Sequence, residues 1–269
     1  MIKTVVFDLD DTLYDEIDYC KSGFAVVAEF LANRSEPRSS SMGEGESPPA
    51  DPATASAFRA TAGSAPTSAE ARRISAVLWE QLTAGNRTKT FNAALEELGI
   101  GYDDELIGEL IEIYRNHSPK ITLPQDSRDA LCELSTKYTL ALLTDGFLPG
   151  QQFKVQALGI EKYFKSIVYT EQLGRECWKP SPAGFEKIMQ TLKVEAENMA
   201  YVADNEKKDF IAPNKLGFST IQLIRPARIH RAVSVEPESA APLRPGPSPG
   251  RAQHTISEIS QLSGLLKKL

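Results

Sequence analysis

Only three of the 269 residues are cysteine, and Cys20, Cys132 and Cys177 stand far apart. An odd, scattered set gives neither a disulfide framework nor a metal-binding pair. Cys132 falls within the apolar pattern of a helix and is expected in the core. No apolar stretch approaches the length of a membrane span, and no membrane partner is expected. Positive charge is not in excess either. A net charge of −6 argues against a nucleic-acid polymer as partner, since that needs a basic face. A few local cations could still hold one phosphate group. His117 and His254 have no acidic or cysteine partner at ligand spacing and are expected at the surface. The chain starts Met1-Ile2-Lys3 and runs directly into a strand, so no signal peptide is expected and the cytoplasm is the default location. There are no internal repeats.

What is present starts with length: 269 residues can bury a sizeable core, as one large domain or two small ones. The most informative feature is Asp8-Leu9-Asp10-Asp11-Thr12, directly after Val5-Val6-Phe7. Thr4 to Phe7 is β-branched and aromatic, too short for a helix and apolar on both faces, which suits an interior strand of a parallel sheet. Ligands in such sheets bind outside the carboxyl ends of the strands. Two carboxylates two residues apart, where a strand gives way to a loop, can share one small space. They repel unless a cation or a shared proton intervenes. Hard oxygen ligands with few protein positions suit Mg²⁺.

Apolar spacing predicts a helix from Asp15 to about Leu31, and composition then shifts. Ser35 to Pro66 is rich in Ser, Pro, Gly and Ala, too poor in large apolar groups to offset its ordering entropy, and is expected to be disordered. Thr67 and Glu70 read as a capping box opening a helix with Ile74, Val77 and Leu78 inward. Helices follow at about Phe91–Leu98 and Asp103–Tyr114. From Leu123 helix and strand alternate: helices at Asp126–Thr136, Gln151–Leu158, Pro182–Leu192 and Lys207–Leu216, and strands at Tyr138–Leu143, Ser166–Tyr169, Met199–Val202 and Thr220–Leu223. That succession gives an α/β fold, a Rossmann-like parallel sheet with helices on both faces, carrying an inserted all-α domain. The expected division is a catalytic core of residues 1–14 and 120–269 and a helical cap of residues 15–119. A second loose stretch is expected at Pro226–Gln253, before a closing amphipathic helix with Ile259, Leu262 and Leu266.

Four stretches in order resemble the motifs of the haloacid dehalogenase-like superfamily. They are Phe7-Asp8-Leu9-Asp10-Asp11-Thr12-Leu13, Leu142-Leu143-Thr144-Asp145-Gly146, Trp178-Lys179-Pro180-Ser181-Pro182, and Tyr201-Val202-Ala203-Asp204 running on to Asp209. The resemblance covers almost the whole chain outside the two loose stretches. It is nearest to the phosphatases whose cap lies between the first two motifs. It implies that Asp8 attacks phosphorus and that Asp10 serves as general acid and then base. Asp8, Asp204 and the Asp10 backbone carbonyl would bind Mg²⁺. Thr144, Asp145, Gly146 and Lys179 would hold the phosphate, with backbone N–H groups contributing. Thr12 would brace the first loop, or simply cap it. Asp209 would act through a water, orient Lys179, or only cap the helix near it. Lys207 and Lys208 are expected on a solvated face, and Trp178 either at the mouth of the site or packed. Ala203 stands where the family usually has Gly.

The implied activity is hydrolysis of a small phosphate ester by a monomer or homodimer, with nucleotide, sugar and acylneuraminate phosphates as candidate substrates. A phosphomutase or phosphotransferase of the same fold uses the same two acids and stays open. Dehalogenation does not fit Asp10, because a departing halide needs no proton. From another class, a receiver-like module would place its acceptor Asp midway along a shorter chain. A non-catalytic phosphate-binding protein would normally have lost one of the key acids or the Lys.

Overall fold

The computed structural model describes residues 1–35, 67–226 and 250–269. The expected loose stretches Ser35–Pro66 and Pro226–Gln253 therefore lie outside the described residues, except at their ends. The described chain divides into two compact units, Met1–Tyr19 with Ile121–Leu269, and Cys20–Lys120.

The first unit is built on six strands: β1 (Thr4–Phe7), β2 (Thr139–Thr144), β3 (Ser166–Tyr169), β4 (Met199–Ala203), β5 (Ser219–Leu223) and β6 (His254–Ile256). Their order is β3-β2-β1-β4-β5-β6, and every pairing is parallel. Parallel neighbours need crossover connections, which these strands take through α5 (Gln125–Ser135), α6 (Gly150–Leu158), α7 (Ala183–Leu192) and α8 (Ile211–Leu216). Successive strand residues face opposite sides. Val6, Leu143, Tyr201 and Ala203 pack with Phe185 and Ile188 of α7. Their neighbours Val5, Phe7, Leu142 and Val202 are equally buried on the other face. The α/β, Rossmann-like parallel sheet expected from the sequence is what forms. The strand order reverses between β1 and β4, so a ligand crevice opens at the carboxyl ends of those two strands.

The second unit is helical. It contains α1 (Glu16–Ser35) from Cys20 onward, α2 (Ala69–Thr83), α3 (Thr90–Leu98) and α4 (Asp104–Asn116). Buried Val27, Leu31, Ile74, Leu78, Leu95, Leu106 and Leu110 supply its apolar interior. Phe24, Phe91 and Tyr114 meet with ring centroids 5.5–6.4 Å apart.

Several local expectations fail for identifiable reasons. The cap of α2 is Ser68, whose hydroxyl accepts from the Ala71 N–H at 2.9 Å, while Thr67 bonds Glu29. Cys132 is exposed: α5 buries Ser127, Ala130, Leu131 and Leu134, and Cys132 lies one residue off that stripe. His117 is buried, not superficial. It sits just past α4, with Nδ1 2.6 Å from the Tyr114 carbonyl, and Gly23 leaves room for both rings, since a Cβ there would come within 2.5 Å of Tyr114. His254 is half-buried in β6. That three-residue edge strand was hidden because it is too short to show a period. The end of the second loose stretch is tied down before it, by the Gln253 N–H donating to Thr220 Oγ1 at 3.0 Å. The helix expected from Lys207 begins only at Ile211, and the closing helix α9 (Leu262–Leu266) is one short turn after a 3₁₀ segment.

Candidate active site

β1 ends at Phe7, and the Asp8 N–H still bonds the Val202 carbonyl of β4 at 2.9 Å. Asp8 is thus fixed beside the end of β4, where Asp204 follows. Past Asp10 the chain turns sharply at Asp11, whose φ of +54° lies in the left-handed region that Asp tolerates better than most residues. The Asp11 carboxylate then accepts from the Glu16 N–H at 2.9 Å at the start of α1. Thr12 is fully buried, with Oγ1 3.4 Å from an Asp8 oxygen. Its carbonyl accepts from the buried Arg225 Nε at 2.9 Å. The Asp204 carbonyl is held from β5 by Gln222 at 3.0 Å.

One pocket at this sheet edge is lined by Asp8, Asp10, Asp11, Glu16, Asp145, Trp178, Lys179, Asp204 and Lys208. Lys179 is buried among them. It pairs with Asp8, with Asp209 at 2.9 Å and with the Tyr201 hydroxyl at 3.1 Å. Asp209 does not open a helix. Its carboxylate accepts from the Asn205 N–H at 2.9 Å, closing the turn after β4, and the same group reaches Lys179. Burial works against the Lys179 charge, but Asp209 and Asp8 outweigh it and hold the ammonium well above the lysine range. One ammonium between two carboxylates leaves negative charge in excess. Burial, with Asp209 adding to it against the pull of Lys179, pushes the Asp8 carboxyl up to about 7. Burial, then the charges of Asp8 and Asp209, push Asp204 up to about 9.

Asp8, Asp204 and Asp209 each bring a carboxylate oxygen within 4.8 Å of the others. Buried acids this close, two of them with raised pKa, form a hard-oxygen cluster short of positive charge, and that donor set fits Mg²⁺. The Asp10 side chain points elsewhere. It accepts from Tyr14 Oη at 2.5 Å, Lys154 Nζ at 2.8 Å and Gln151 Nε2 at 2.9 Å. Burial raises its pKa, but Lys154 and these hydrogen bonds prevail and lower it below the usual carboxylate value.

Thr144 closes β2, buried, with its hydroxyl accepting from Gln151 at 2.6 Å. The Asp145 carboxylate accepts from Thr170 Oγ1 at 2.8 Å and from the Lys179 N–H at 3.2 Å. It also meets Lys208 at 3.3 Å, so the carboxylate is already engaged by donors on the protein. Gly146, at φ +142°, is required by the backbone and by space, because a Cβ would come within 2.8 Å of Gln151. Trp178 lines the pocket and donates Nε1 to Glu171 at 2.9 Å, so it both packs and faces the site.

Lys208 corrects a sequence expectation. It is not merely solvated, but turns its ammonium to Asp145 and lines the pocket. Burial and the Lys179 charge oppose its ionisation, yet Asp209, Asp8 and Asp145 hold it above the usual lysine value. Tyr14, Gln151 and Lys154 were missed outright. Gln151 and Lys154 did carry a signal: with Val155 and Leu158 they occupy the inward positions of α6, where a lysine needs a buried partner.

Comparison with known proteins gives a family match. The family description haloacid dehalogenase-like hydrolase matches residues 2–217. The chain is 27% identical over 144 residues to the glyceraldehyde 3-phosphate phosphatase of Methanopyrus kandleri, covering 52% of this chain and 60% of that protein. It is 25% identical over 227 residues to the protein of the same name from Methanocaldococcus jannaschii, covering 84% and 86%. The N-acylneuraminate-9-phosphatase of Rattus norvegicus is 26% identical over 187 residues, 68% of each chain. Among solved structures, a putative β-phosphoglucomutase from Thermotoga maritima superposes with a TM-score of 0.59 at 18% identity, over all of both chains, which speaks for the fold alone. Among the described residues, no helix is long and apolar enough to cross a membrane.

Proposed function

The chain belongs to the haloacid dehalogenase-like hydrolases, and from that premise we propose that it is a Mg²⁺-dependent phosphomonoester hydrolase of small phosphorylated metabolites. The observation that carries this reading is the pairing of Asp8, buried beside Lys179, with a second acid, Asp10, in the same pocket. A reaction that releases halide has no use for that second acid. Cleaving an ester requires a proton for the departing oxygen.

In this reading an Asp8 oxygen attacks phosphorus, and the bond from phosphorus to the ester oxygen breaks. Asp10, ionised in the free pocket, takes up a proton from solvent as the phosphate dianion adds negative charge beside it, and the leaving oxygen takes that proton. A water then attacks the phosphorus of phospho-Asp8, gives its proton to Asp10, and the Asp8–phosphorus bond breaks to release inorganic phosphate. Lys179 and the Thr144 hydroxyl hold phosphate oxygens, helped by backbone N–H groups at Asp145 and Gly146. Lys208, which also lines the pocket, adds a second cation for the incoming dianion. Asp209 keeps Lys179 in place, and Thr12 braces Asp8. Asp8 and Asp204 of the acid cluster would hold the Mg²⁺ together with the Asp10 carbonyl that the family resemblance implies, while Asp209, the third acid of the cluster, is engaged by Lys179. Once bound, the ion offsets the negative charge that the carboxylates and the phosphate bring together.

The names of the matched relatives span a triose phosphate and an acylneuraminate phosphate. The proposed substrate is therefore a small phosphate ester, with no nucleic-acid polymer or membrane involved, handled by a monomer or homodimer. Three cysteines forming no disulfide suit a reducing cytoplasm. The test is a panel of phosphate monoesters assayed for released phosphate with Mg²⁺, run beside 2-haloacids assayed for halide. Phosphate release is expected, and halide release without it would overturn the reading.

A further inference from the structure

Helix α6 puts two polar side chains on its buried stripe, and both reach the pocket chemistry. Lys154 is only 3% exposed, on a helix whose inward neighbours are Val155 and Leu158. Burying an ammonium is costly unless it is paired. Its partners are Asp10 at 2.8 Å and Glu16 at 3.7 Å, and it lies 4.1 Å above the Tyr19 ring. Gln151, one turn earlier, divides its two amide hydrogens between Asp10 at 2.9 Å and the Thr144 hydroxyl at 2.6 Å. These contacts have two consequences. The Asp10 carboxylate, held by Lys154 and Tyr14 on one oxygen and Gln151 on the other, cannot rotate freely. The Thr144 oxygen, accepting from Gln151, keeps its own hydrogen for another acceptor. Gly146 leaves the space in which Gln151 makes this link.

We propose that Lys154 and Gln151 are positioning residues that fix the acid–base group Asp10 and orient the phosphate-binding hydroxyl of Thr144 from a single turn of α6. The inference rests on the hydrolase reading. Neither residue is placed on the phosphate: Lys154 acts through Asp10, and Gln151 through Asp10 and Thr144.

The test uses rapid-quench kinetics of the full-length protein with Mg²⁺, with an alkyl and an aryl phosphate. An alkoxide must be protonated as it leaves, whereas a nitrophenolate leaves without help. In Lys154→Met, phosphoenzyme formation from the alkyl ester is expected to fall about 10²-fold, the loss that a small misplacement of a catalytic group can cause. Formation from the aryl ester should fall far less, and phosphorylated Asp8 should accumulate because the base for the second step is misplaced. A merely structural role would reduce the folded fraction and slow both esters alike. Gln151→Leu, which removes no buried charge, serves if Lys154→Met folds poorly. It should show the same ester bias and also weaker competitive inhibition by inorganic phosphate. Equal slowing of both esters in the two variants, without accumulation, would overturn the proposal while an active wild type leaves the hydrolase reading standing. A wild type inactive on every ester would overturn both.

Discussion

Asp8 and Asp10 are two residues apart, yet one faces other acids and the other faces donors. Asp8 shares a single buried ammonium with Asp209 and lies close to Asp204, and its carboxyl is pushed up to about 7. Asp10 accepts from Lys154, Tyr14 and Gln151, and its pKa is lowered. The difference teaches where positive charge is missing. Asp10 is neutralised by the protein itself. The Asp8 side is not, and it is the side where a metal and a phosphate-holding lysine make sense.

The contrast can be broken hardest at Asp8. Asp8→Asn keeps the size and removes the nucleophilic charge, so turnover should fall by about 10⁴ or more. Steady-state phosphate release checks this, and near-wild-type turnover would remove the phosphoaspartate mechanism. Next comes Lys179→Met, which strips the only buried cation paired with both Asp8 and Asp209 among the described residues. Leaving buried charge uncompensated costs roughly 3–5 kcal/mol. Urea unfolding of the metal-free variant should show that loss, and Mg²⁺ should return part of it.

The pH dependence of stability sharpens the comparison. Burial pushes the folded Asp8 and Asp204 carboxyls up to about 7 and about 9, whereas an unfolded Asp ionises at about 4. The folded protein therefore keeps protons that the unfolded chain has released. That stability is full below about pH 4 and is lost as pH rises through about 7 and then about 9, at up to about 1.4 kcal/mol per pH unit per group. Asp10 works in the opposite sense: its lowered pKa gives stability that is lost only in acid. Thermal melts of chelated protein from pH 5 to 9 should slope downward, and Mg²⁺ should flatten them. A flat profile without metal would mean the acid cluster is already neutralised. The smallest effect is expected for Tyr14→Phe, which deletes one of the three side-chain donors to Asp10. A hydrogen bond to a charged group is worth roughly 1.5–3 kcal/mol. With two donors remaining, the variant should sit at the low end, about tenfold in kcat for an alkyl ester.

The sheet was legible because buried parallel strands are short apolar runs. Thr4–Phe7, Thr139–Thr144 and Met199–Ala203 show this, and the acids and hydroxyl at their carboxyl ends mark the candidate site by position alone. The edge strand His254–Ile256 was not legible, because three residues show no period and its partner lies far away in sequence. The same holds within the site. The sequence by itself determined which residues stand at the ends of β1, β2 and β4: Asp8 and Asp10, Thr144, and Asp204. Only the tertiary structure decided that Asp209 turns back to Lys179, that Lys208 faces Asp145, and that Lys154, 144 residues beyond Asp10, is its counter-ion. Strand ends are set by local periodicity, which a sequence displays. Charge partners are set by which surfaces the crossovers bring together, and no local pattern records that.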